Sequence, residues 1–292
     1  MFSGVYTALI TPFNSDGTID FESYRALINN QIKEGISGLL PVGTTGESPT
    51  LTHKENLQVV EEAIKIANGK TPVIAGTGSN STTEAVDMTK IAKSMGADAS
   101  LQVAPYYNKP TQEGLYRHFM TIADKCDLPI MIYNIKGRSG VNIETETLMR
   151  LASHEMVVGV KEASGDISQM MDVIQNRPEN FSVMVGDDNI AFPFTALGGD
   201  GVISVVSNII PGKMEKMIAL TKQGDIESAR KLHYEILPLC KGMFIETSPI
   251  PVKSAMSMLG LCNEVYRLPL CEPLEATKNE LKVILGKSGL LK

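Results

Sequence analysis

Lys161 is the residue whose place in the sequence most clearly allows covalent chemistry. It follows the apolar run 157–160, so the sequence predicts a buried strand that ends in an ammonium group. Desolvation disfavours the charged form of lysine, which should lower the pKa and leave free amine near neutral pH. Such an amine can condense with a carbonyl compound to give an imine, which acts as an electron sink. From position alone, a lysine that reaches solvent or pairs with Glu162 stays open as an alternative.

Hydroxyl and guanidinium groups follow other apolar runs. Thr44 and Thr45 lie in the loop 43–47 (GTTGE), where two glycines let the backbone bend towards a ligand and two hydroxyls can serve a carboxylate or a proton relay. The Tyr133 phenol suits general acid–base catalysis, and Arg138 could hold a substrate carboxylate with two hydrogen bonds. Structural roles stay open: threonines bonded to their own loop, a core tyrosine and a solvated arginine.

Asp187 and Asp188 form an adjacent pair of carboxylates after another apolar run. We interpret them as helix caps, because no partner ligands follow at a spacing that suits a metal. The four histidines and four cysteines are scattered and match no zinc pattern. The sequence therefore predicts no metal and no cofactor.

Strand-length apolar runs recur along the chain, and amphipathic helical patterns separate them. The runs are 6–10, 38–42, 72–75, 99–104, 129–133, 157–161, 182–185 and 201–206. Strands alternating with helices at intervals of about 30 residues indicate βαβ units and a parallel sheet. Eight units favour an α/β fold of the (β/α)₈ TIM-barrel type over an open doubly wound sheet, which stays the alternative.

Helix starts and the end of the barrel can also be predicted. Residues with capping side chains precede the helical patterns: Asp20, Thr52 with Glu55, Ser81 with Glu84, Thr111 and Asp166. After the eighth run the pattern is helical only. We therefore predict a catalytic barrel over residues 1–209 and a C-terminal helical region over 210–292 that packs on it.

The C-terminal ends of the strands form the active-site face of such a barrel. Polar residues follow five of the predicted strands, including Tyr106 and Tyr107 after the fourth. We therefore expect these side chains to meet at one mouth.

Composition excludes several classes of partner. The net charge is −6 over 292 residues, and no basic stripe is present, so nucleic acid and anionic membranes are not expected partners. No apolar run approaches the roughly 20 residues that span a bilayer. The N-terminal residues lack the pattern of a signal peptide, so we expect a soluble cytoplasmic protein.

The sequence resembles the dihydrodipicolinate synthase family of the pyruvate-dependent Schiff-base aldolase and lyase superfamily. The likeness runs through essentially the whole chain. The most specific segments are 43–47 (GTTGE), 106–110 (YYNKP), 133–138 (YNIKGR) and 159–163 (GVKEA). The resemblance implies a lyase of lysine and diaminopimelate biosynthesis that condenses pyruvate with L-aspartate 4-semialdehyde.

The resemblance also implies roles for single residues. Lys161 would carry pyruvate as an imine that becomes an enamine nucleophile. Tyr133, Thr44 and Tyr107 would form a proton relay, with the Tyr107 hydroxyl supplied by the neighbouring subunit. A lone subunit would then be inactive, and family members are usually homotetramers built from two tight dimers.

Substrate-binding roles follow from the same resemblance. Thr45 would bind the pyruvate carboxylate, and Arg138 would hold the carboxylate of the semialdehyde. Gly186 and Ile203 match backbone positions near the pyruvyl group. Lys136 stands where the family commonly has proline, so we expect it to alter affinity for the second substrate without touching the imine chemistry.

Many family members are inhibited by L-lysine at the dimer interface. The positions that match this effector site are Ser48, His53, Asn80, Glu84 and Tyr106. Asn56 stands where some sensitive members have histidine, so sensitivity to L-lysine is left open, as is a simple capping role for Glu84.

Two other functions compete with this one. N-acetylneuraminate lyase or a 2-keto-3-deoxy sugar acid aldolase would share the lysine and tyrosine. Thr44 with Thr45, together with Arg138, favours the semialdehyde, because sialic acid lyases typically carry Ser-Thr in that loop and lack this arginine. A non-catalytic keto-acid sensor is disfavoured, since a sensor has no need of a proton relay.

Overall fold

Eight parallel β-strands form the centre of the molecule, for which a computed structural model describes residues 1–291. All eight predicted strands are confirmed. They are β1 Gly4–Ala8, β2 Gly38–Leu40, β3 Ile74–Gly76, β4 Ala99–Val103, β5 Ile130–Asn134, β6 Val157–Glu162, β7 Ser182–Val185 and β8 Gly201–Ser204.

The sheet closes into a barrel. The strand order is β2-β1-β8-β7-β6-β5-β4-β3, and a parallel bridge between Leu39 and Val73 joins its two ends. The Gly76 amide also donates to the Pro41 carbonyl at 3.1 Å. The fold is therefore the predicted TIM barrel, and the open sheet is excluded.

Helices surround the barrel and continue after its last strand. They are α1 Phe21–Lys33, α2 His53–Ala67, α3 Thr82–Met95, α4 Gln112–Cys126, α5 Lys136–Ser139, α6 Thr145–Ala152, α7 Ile167–Asn176, α8 Ala191–Ala196, α9 Pro211–Lys222, α10 Ile226–Gly242, α11 Ile250–Met258 and α12 Glu275–Lys287. α9 packs against β1, α8 and α10, and α12 packs against both α10 and α11. None of the helices within residues 1–291 is long and apolar enough to cross a membrane.

Most of the predicted helix caps are confirmed. The side chains that accept a hydrogen bond from the first turn are Asp20, Thr52 with its reciprocal partner Glu55, Thr111 and Asp166. The capping box predicted at Ser81 is wrong in one half. Its hydroxyl accepts from the Glu84 amide at 3.5 Å, but the Glu84 carboxylate bonds to Ser79 and His53 instead of returning to Ser81.

Two apolar layers stabilise the barrel. Side chains alternate along a strand, so one set fills the barrel and the other packs under the helices. The inner set is Tyr6, Ala8, Leu40, Ile74, Ala99, Leu101, Met131, Tyr133, Ala163, Met184 and Ile203. Lys161 is two residues before Ala163 and shares its inward face, whereas Val160 belongs to the outer layer.

Candidate active site

Lys161 and Tyr133 lie side by side at the C-terminal ends of β6 and β5. They are directly paired in the register of these strands, and the lysine Nζ lies 4.3 Å from the centroid of the tyrosine ring. Both are buried, with 7% and 6% of their surface exposed. Glu162 is buried on the outer face and accepts hydrogen bonds from Ser164 and Asn134, so the alternative of a Lys161–Glu162 pair is excluded.

The surroundings of Lys161 favour its neutral form. Burial lowers the pKa of the ammonium to about 8, and nearby Arg138 acts in the same direction. The carboxyl groups of Asp187 and Asp188 oppose this fall without cancelling it. The site thus holds an amine that is partly unprotonated near neutral pH, as an imine-forming lysine requires.

Gly186 leaves space beside the lysine. Its amide donates to the Glu162 carbonyl at 2.9 Å, at the end of β7. A Cβ at this position would lie 3.0 Å from Cε of Lys161 and 2.8 Å from Cβ of Ala163. Ile203 lies in the same inner layer on β8, fully buried. Both predicted pyruvate-side residues therefore border the barrel interior that holds Lys161.

The phenol of Tyr133 has a raised pKa and therefore stays protonated near neutral pH. Burial is the main reason that its pKa lies above the ordinary value, and Asp187 adds to the effect. The Arg138 charge and the nearby Thr44 hydroxyl act in the opposite direction. A phenol of this kind can pass protons along a hydrogen-bonded chain more readily than it can exist as phenolate.

The loop 43–47 is held by its backbone. The Gly46 amide donates to the Gly43 carbonyl, and the Glu47 amide donates to the Thr44 carbonyl, each at 3.1 Å. The hydroxyls of Thr11 and Thr50 donate to the Gly46 and Glu47 carbonyls, but among the described residues neither the Thr44 nor the Thr45 hydroxyl bonds to the backbone of this loop. Thr44 is half-buried and Thr45 is buried, so their hydroxyls are left for a ligand or a relay.

Arg138 lies on α5, a single helical turn that follows Tyr133. Its Nη2 donates to the Ser248 carbonyl at 3.0 Å, and the side chain is otherwise exposed. Lys136 begins the same turn and is exposed. The guanidinium is therefore anchored on one side and open to a ligand on the other.

A cavity of about 470 Å³ opens at this end of the barrel. The predicted substrate-side residues in its wall are Thr44, Tyr133 and Arg138. The predicted effector-site residues in its wall are Ser48, His53, Glu84 and Tyr106. Lys161 lies outside this wall, with its ammonium over the Tyr133 ring. The two groups of predicted residues thus share one continuous space.

The effector-side residues contact one another. Glu84 forms an ion pair with His53 and a hydrogen bond with Ser79. Asn80 lies outside the wall and donates from its side-chain amide to the Tyr106 carbonyl at 3.1 Å. Asn56 faces the cavity, and its buried Oδ1 has no hydrogen-bond partner among residues 1–291. This end of the cavity is therefore polar, and at least one of its hydrogen-bond acceptors is left without a donor among these residues.

Tyr107 is not brought to Lys161 within one chain. It has 91% of its surface exposed and a left-handed backbone with φ of +73°. Tyr106 turns into the cavity wall instead, with 40% of its surface exposed. The insertion of Tyr107 into a neighbouring subunit stays a prediction.

The structure corrects the interpretation of Asp188 as a cap of its own helix. Its Oδ2 accepts from the amides of Val205 and Val206 at 3.0 and 2.9 Å, beyond the end of β8. Its Oδ1 has no partner among the described residues, and burial raises the pKa of the carboxyl to about 6. Asp187 likewise makes no capping hydrogen bond. Both carboxyl groups instead act on Lys161 through their charge.

Sequence reasoning missed a support behind the paired strands. Asn134 and Glu162 follow Tyr133 and Lys161 directly, and they are paired in the same register on the outer face. The Asn134 amide donates to Glu162 at 3.1 Å, and the Ser164 amide donates to it at 2.7 Å. The sequence did contain a signal: next to each site residue, a polar residue stands at a position of the strand where an apolar, buried residue would be expected.

Comparison with known proteins agrees with this geometry. Residues 1–288 match the model of the dihydrodipicolinate synthetase family. The 4-hydroxy-tetrahydrodipicolinate synthase of Thermodesulfovibrio yellowstonii is 50% identical over the whole of both chains. The chloride-inhibited dihydrodipicolinate synthase of Acinetobacter baumannii, solved with pyruvate, is 42% identical over all of both chains with a TM-score of 0.98.

A further solved structure is similar over nearly the full chain. The synthase of Cyanidioschyzon merolae, solved with lysine bound, is 38% identical over 99% of both chains, with a TM-score of 0.96. Family model, relatives and solved structures agree over nearly the full length of the sequence. The chain belongs to the dihydrodipicolinate synthetase family.

Proposed function

We propose that this chain is a 4-hydroxy-tetrahydrodipicolinate synthase that condenses pyruvate with L-aspartate 4-semialdehyde through an imine on Lys161. The observation that carries the proposal is the buried pair of Lys161 and Tyr133, in which the lysine pKa is lowered to about 8 and its Nζ lies 4.3 Å from the tyrosine ring centroid. The relatives named for this activity and the pyruvate-bound neighbour support it.

The first half of the reaction forms the nucleophile. The Lys161 amine attacks the C2 carbonyl of pyruvate, and loss of water gives the imine. The Thr45 hydroxyl holds the pyruvate carboxylate. The methyl group at C3 then loses a proton, which passes through Tyr133 and Thr44 to Tyr107 of a second subunit and leaves an enamine.

The second half joins the two substrates. C3 of the enamine attacks the aldehyde carbon, whose oxygen takes a proton from the relay. Arg138 holds the carboxylate of the semialdehyde, with its Ser248 contact fixing the guanidinium. The amino group of the second substrate then attacks the imine carbon, which closes the ring and expels the Lys161 amine. No metal or cofactor takes part in this scheme.

Assembly and regulation belong to the same proposal. The exposed side chain and left-handed backbone of Tyr107 support a homotetramer of tight dimers, in which each active site receives this residue from the neighbouring subunit. The polar end of the cavity supports L-lysine as an effector, as does the lysine-bound relative. The region 210–292, which we propose as a separate helical unit, packs on the barrel.

A coupled assay tests the proposed reaction. Turnover of pyruvate and the semialdehyde is followed as NADPH oxidation by added dihydrodipicolinate reductase. We expect activity in the wild type and a loss of several orders of magnitude in Lys161→Ala. The control variant Lys65→Ala, which replaces an exposed lysine of α2, should keep the activity of the wild type. A wild type that is inactive with the semialdehyde but still forms an imine with pyruvate would redirect the function to sugar-acid acceptors.

A further inference from the structure

A fully buried ion pair joins the loop 43–47 to the C-terminal region. Lys253 of α11 donates to Oε1 of Glu47 at 2.6 Å, and both side chains have 0% of their surface exposed. The other carboxylate oxygen accepts from the Arg267 amide at 3.4 Å, and the ammonium lies 4.1 Å from the centroid of the Phe13 ring. Neither residue has a part in the proposed reaction.

Glu47 fixes the loop that carries the two threonines. Its backbone is left-handed, with φ of +55°, which is uncommon for a residue with a side chain. Its amide donates to the Thr44 carbonyl at 3.1 Å, and its carbonyl accepts from the Thr50 amide at 3.0 Å. A shift of the Glu47 side chain would therefore move Thr44 through a direct backbone contact.

Stability alone is a weak reason for such a pair. Transfer of two charges out of water is costly, and apolar residues of similar volume often stabilise a protein equally well. Burial lowers the pKa of Lys253, while the Glu47 carboxylate opposes the fall. Each charge thus depends on the other, so the pair holds the loop in one position relative to α11.

The same C-terminal segment also contacts the opposite side of the site. Ser248 precedes α11 and accepts the hydrogen bond of Arg138, whereas Lys253 lies within α11 and holds Glu47. One segment therefore braces both the loop after β2 and the turn after β5. A brace at this point sets the distance between groups on opposite sides of the cavity.

We propose that Glu47 and Lys253 are positioning residues, which hold Thr44 and Thr45 in place for the proton relay and for binding of the pyruvate carboxylate. This inference rests on the proposed function. Misplacement of reacting groups by about 1 Å can cost about 100-fold in rate. Loss of the pair should therefore lower kcat and raise the KM for pyruvate, while the KM for the semialdehyde stays unchanged.

The main test is the double variant Glu47→Gln/Lys253→Met, which removes both charges and leaves neither one buried alone. We expect a melting temperature near that of the wild type, a kcat lowered about 10- to 100-fold and a clearly raised KM for pyruvate. Glu47→Asp keeps both charges but draws the carboxylate back by one methylene group. It should show the same changes to a smaller degree.

A matched control separates positioning from loss of stability. Asp200→Asn breaks the partly buried contact with Arg177 before β8, at the opposite end of the barrel. It should lower the melting temperature and leave kcat and both KM values unchanged. Wild-type kinetics in the double variant or in Glu47→Asp would overturn the proposal, and so would an equal kinetic loss in Asp200→Asn.

A second measurement separates this proposal from the proposed function. The pyruvate concentration that gives half-maximal trapping by borohydride reports on pyruvate binding without a second substrate. It should rise in the double variant and in Glu47→Asp. If the wild type traps pyruvate but does not turn over the semialdehyde, the proposed function fails, and this concentration still decides whether the pair positions Thr45.

Discussion

The environment of Lys161 predicts a steep pH dependence of imine formation. A lysine with a pKa of about 8 is about one-tenth unprotonated at pH 7. A lysine at the ordinary value is unprotonated in only roughly one molecule in three thousand at that pH. The buried amine should therefore react about 300-fold faster at pH 7 than it would with an ordinary pKa. Its rate should climb with pH and level off above about 8.

Substitution of Asp187 tests the physical cause of this profile. Of the two nearby carboxylates that favour the ammonium form, that of Asp187 has the larger effect on the pKa of Lys161. Asp187→Asn removes that charge, so the pKa of Lys161 should fall further and the inflection should move to lower pH. Imine formation at pH 7 should then rise about two- to threefold. Asp166→Asn, an exposed helix cap on α7, serves as a matched control without effect on the inflection.

The assay measures how fast pyruvate becomes attached to the protein. Samples are quenched with borohydride at intervals from mildly acidic to alkaline pH, and the reduced adduct is quantified by intact mass. An inflection near the ordinary lysine value would refute the role assigned to burial. An inflection that moves to higher pH in Asp187→Asn would refute the role assigned to the carboxylate.

Three further substitutions probe other parts of the site. Gly186→Ala places a methyl group 3.0 Å from Cε of Lys161, so borohydride trapping should slow at least about tenfold in a folded protein. Arg138→Ala should raise the KM for the semialdehyde about 10- to 100-fold, because it removes a charged hydrogen-bond donor, and should leave pyruvate trapping unchanged at alkaline pH, where the Lys161 amine is unprotonated with or without the Arg138 charge. Glu84→Gln should weaken inhibition by L-lysine about tenfold or more in the coupled assay.

Different outcomes would contradict each expectation. Wild-type trapping in Gly186→Ala would mean that the space beside the lysine is not needed. Slower trapping at alkaline pH in Arg138→Ala would place the arginine at the first substrate instead of the second. An unchanged inhibition curve in Glu84→Gln would show that Glu84 does not bind the effector. Ser48→Ala, which changes another residue of the same cavity wall, is measured for comparison.

The strands could be predicted because parallel strands in a barrel are buried on both faces. The run 182–185 coincides with β7, but the run 6–10 is displaced from β1, which is Gly4–Ala8. Leu9 and Ile10 are fully buried although they lie beyond the strand. An apolar run in the sequence predicts which residues are buried. It does not predict where the hydrogen-bonded pairing of a strand begins and ends, because that depends on the geometry of the barrel.

The central residues of the site were visible because they interrupt a pattern. Lys161 and Tyr133 are polar groups at the ends of apolar runs, and both lie where expected in the structure. The ion pair of Glu47 and Lys253 has no such signal, since its partners are 206 residues apart and only the folded chain brings them together. A lone buried lysine or glutamate in the sequence does not reveal its partner.

Competition between local and tertiary partners explains the remaining errors. The spacing of Ser81 and Glu84 satisfies a capping box, but His53 from α2 and Ser79 take the Glu84 carboxylate. Asp188 could cap its own turn, but the free amides at the end of β8 take it instead. In both cases a tertiary contact replaces the partner that local spacing indicates.

The central claim is that Lys161 carries pyruvate as an imine. Its most direct test is proteolytic mapping of the protein after reduction with borohydride in the presence of pyruvate. The account predicts a single modified peptide that contains Lys161, bearing one reduced pyruvyl group, and no modification in Lys161→Ala. An adduct on another lysine, such as the buried Lys253, or no adduct at all, would contradict it.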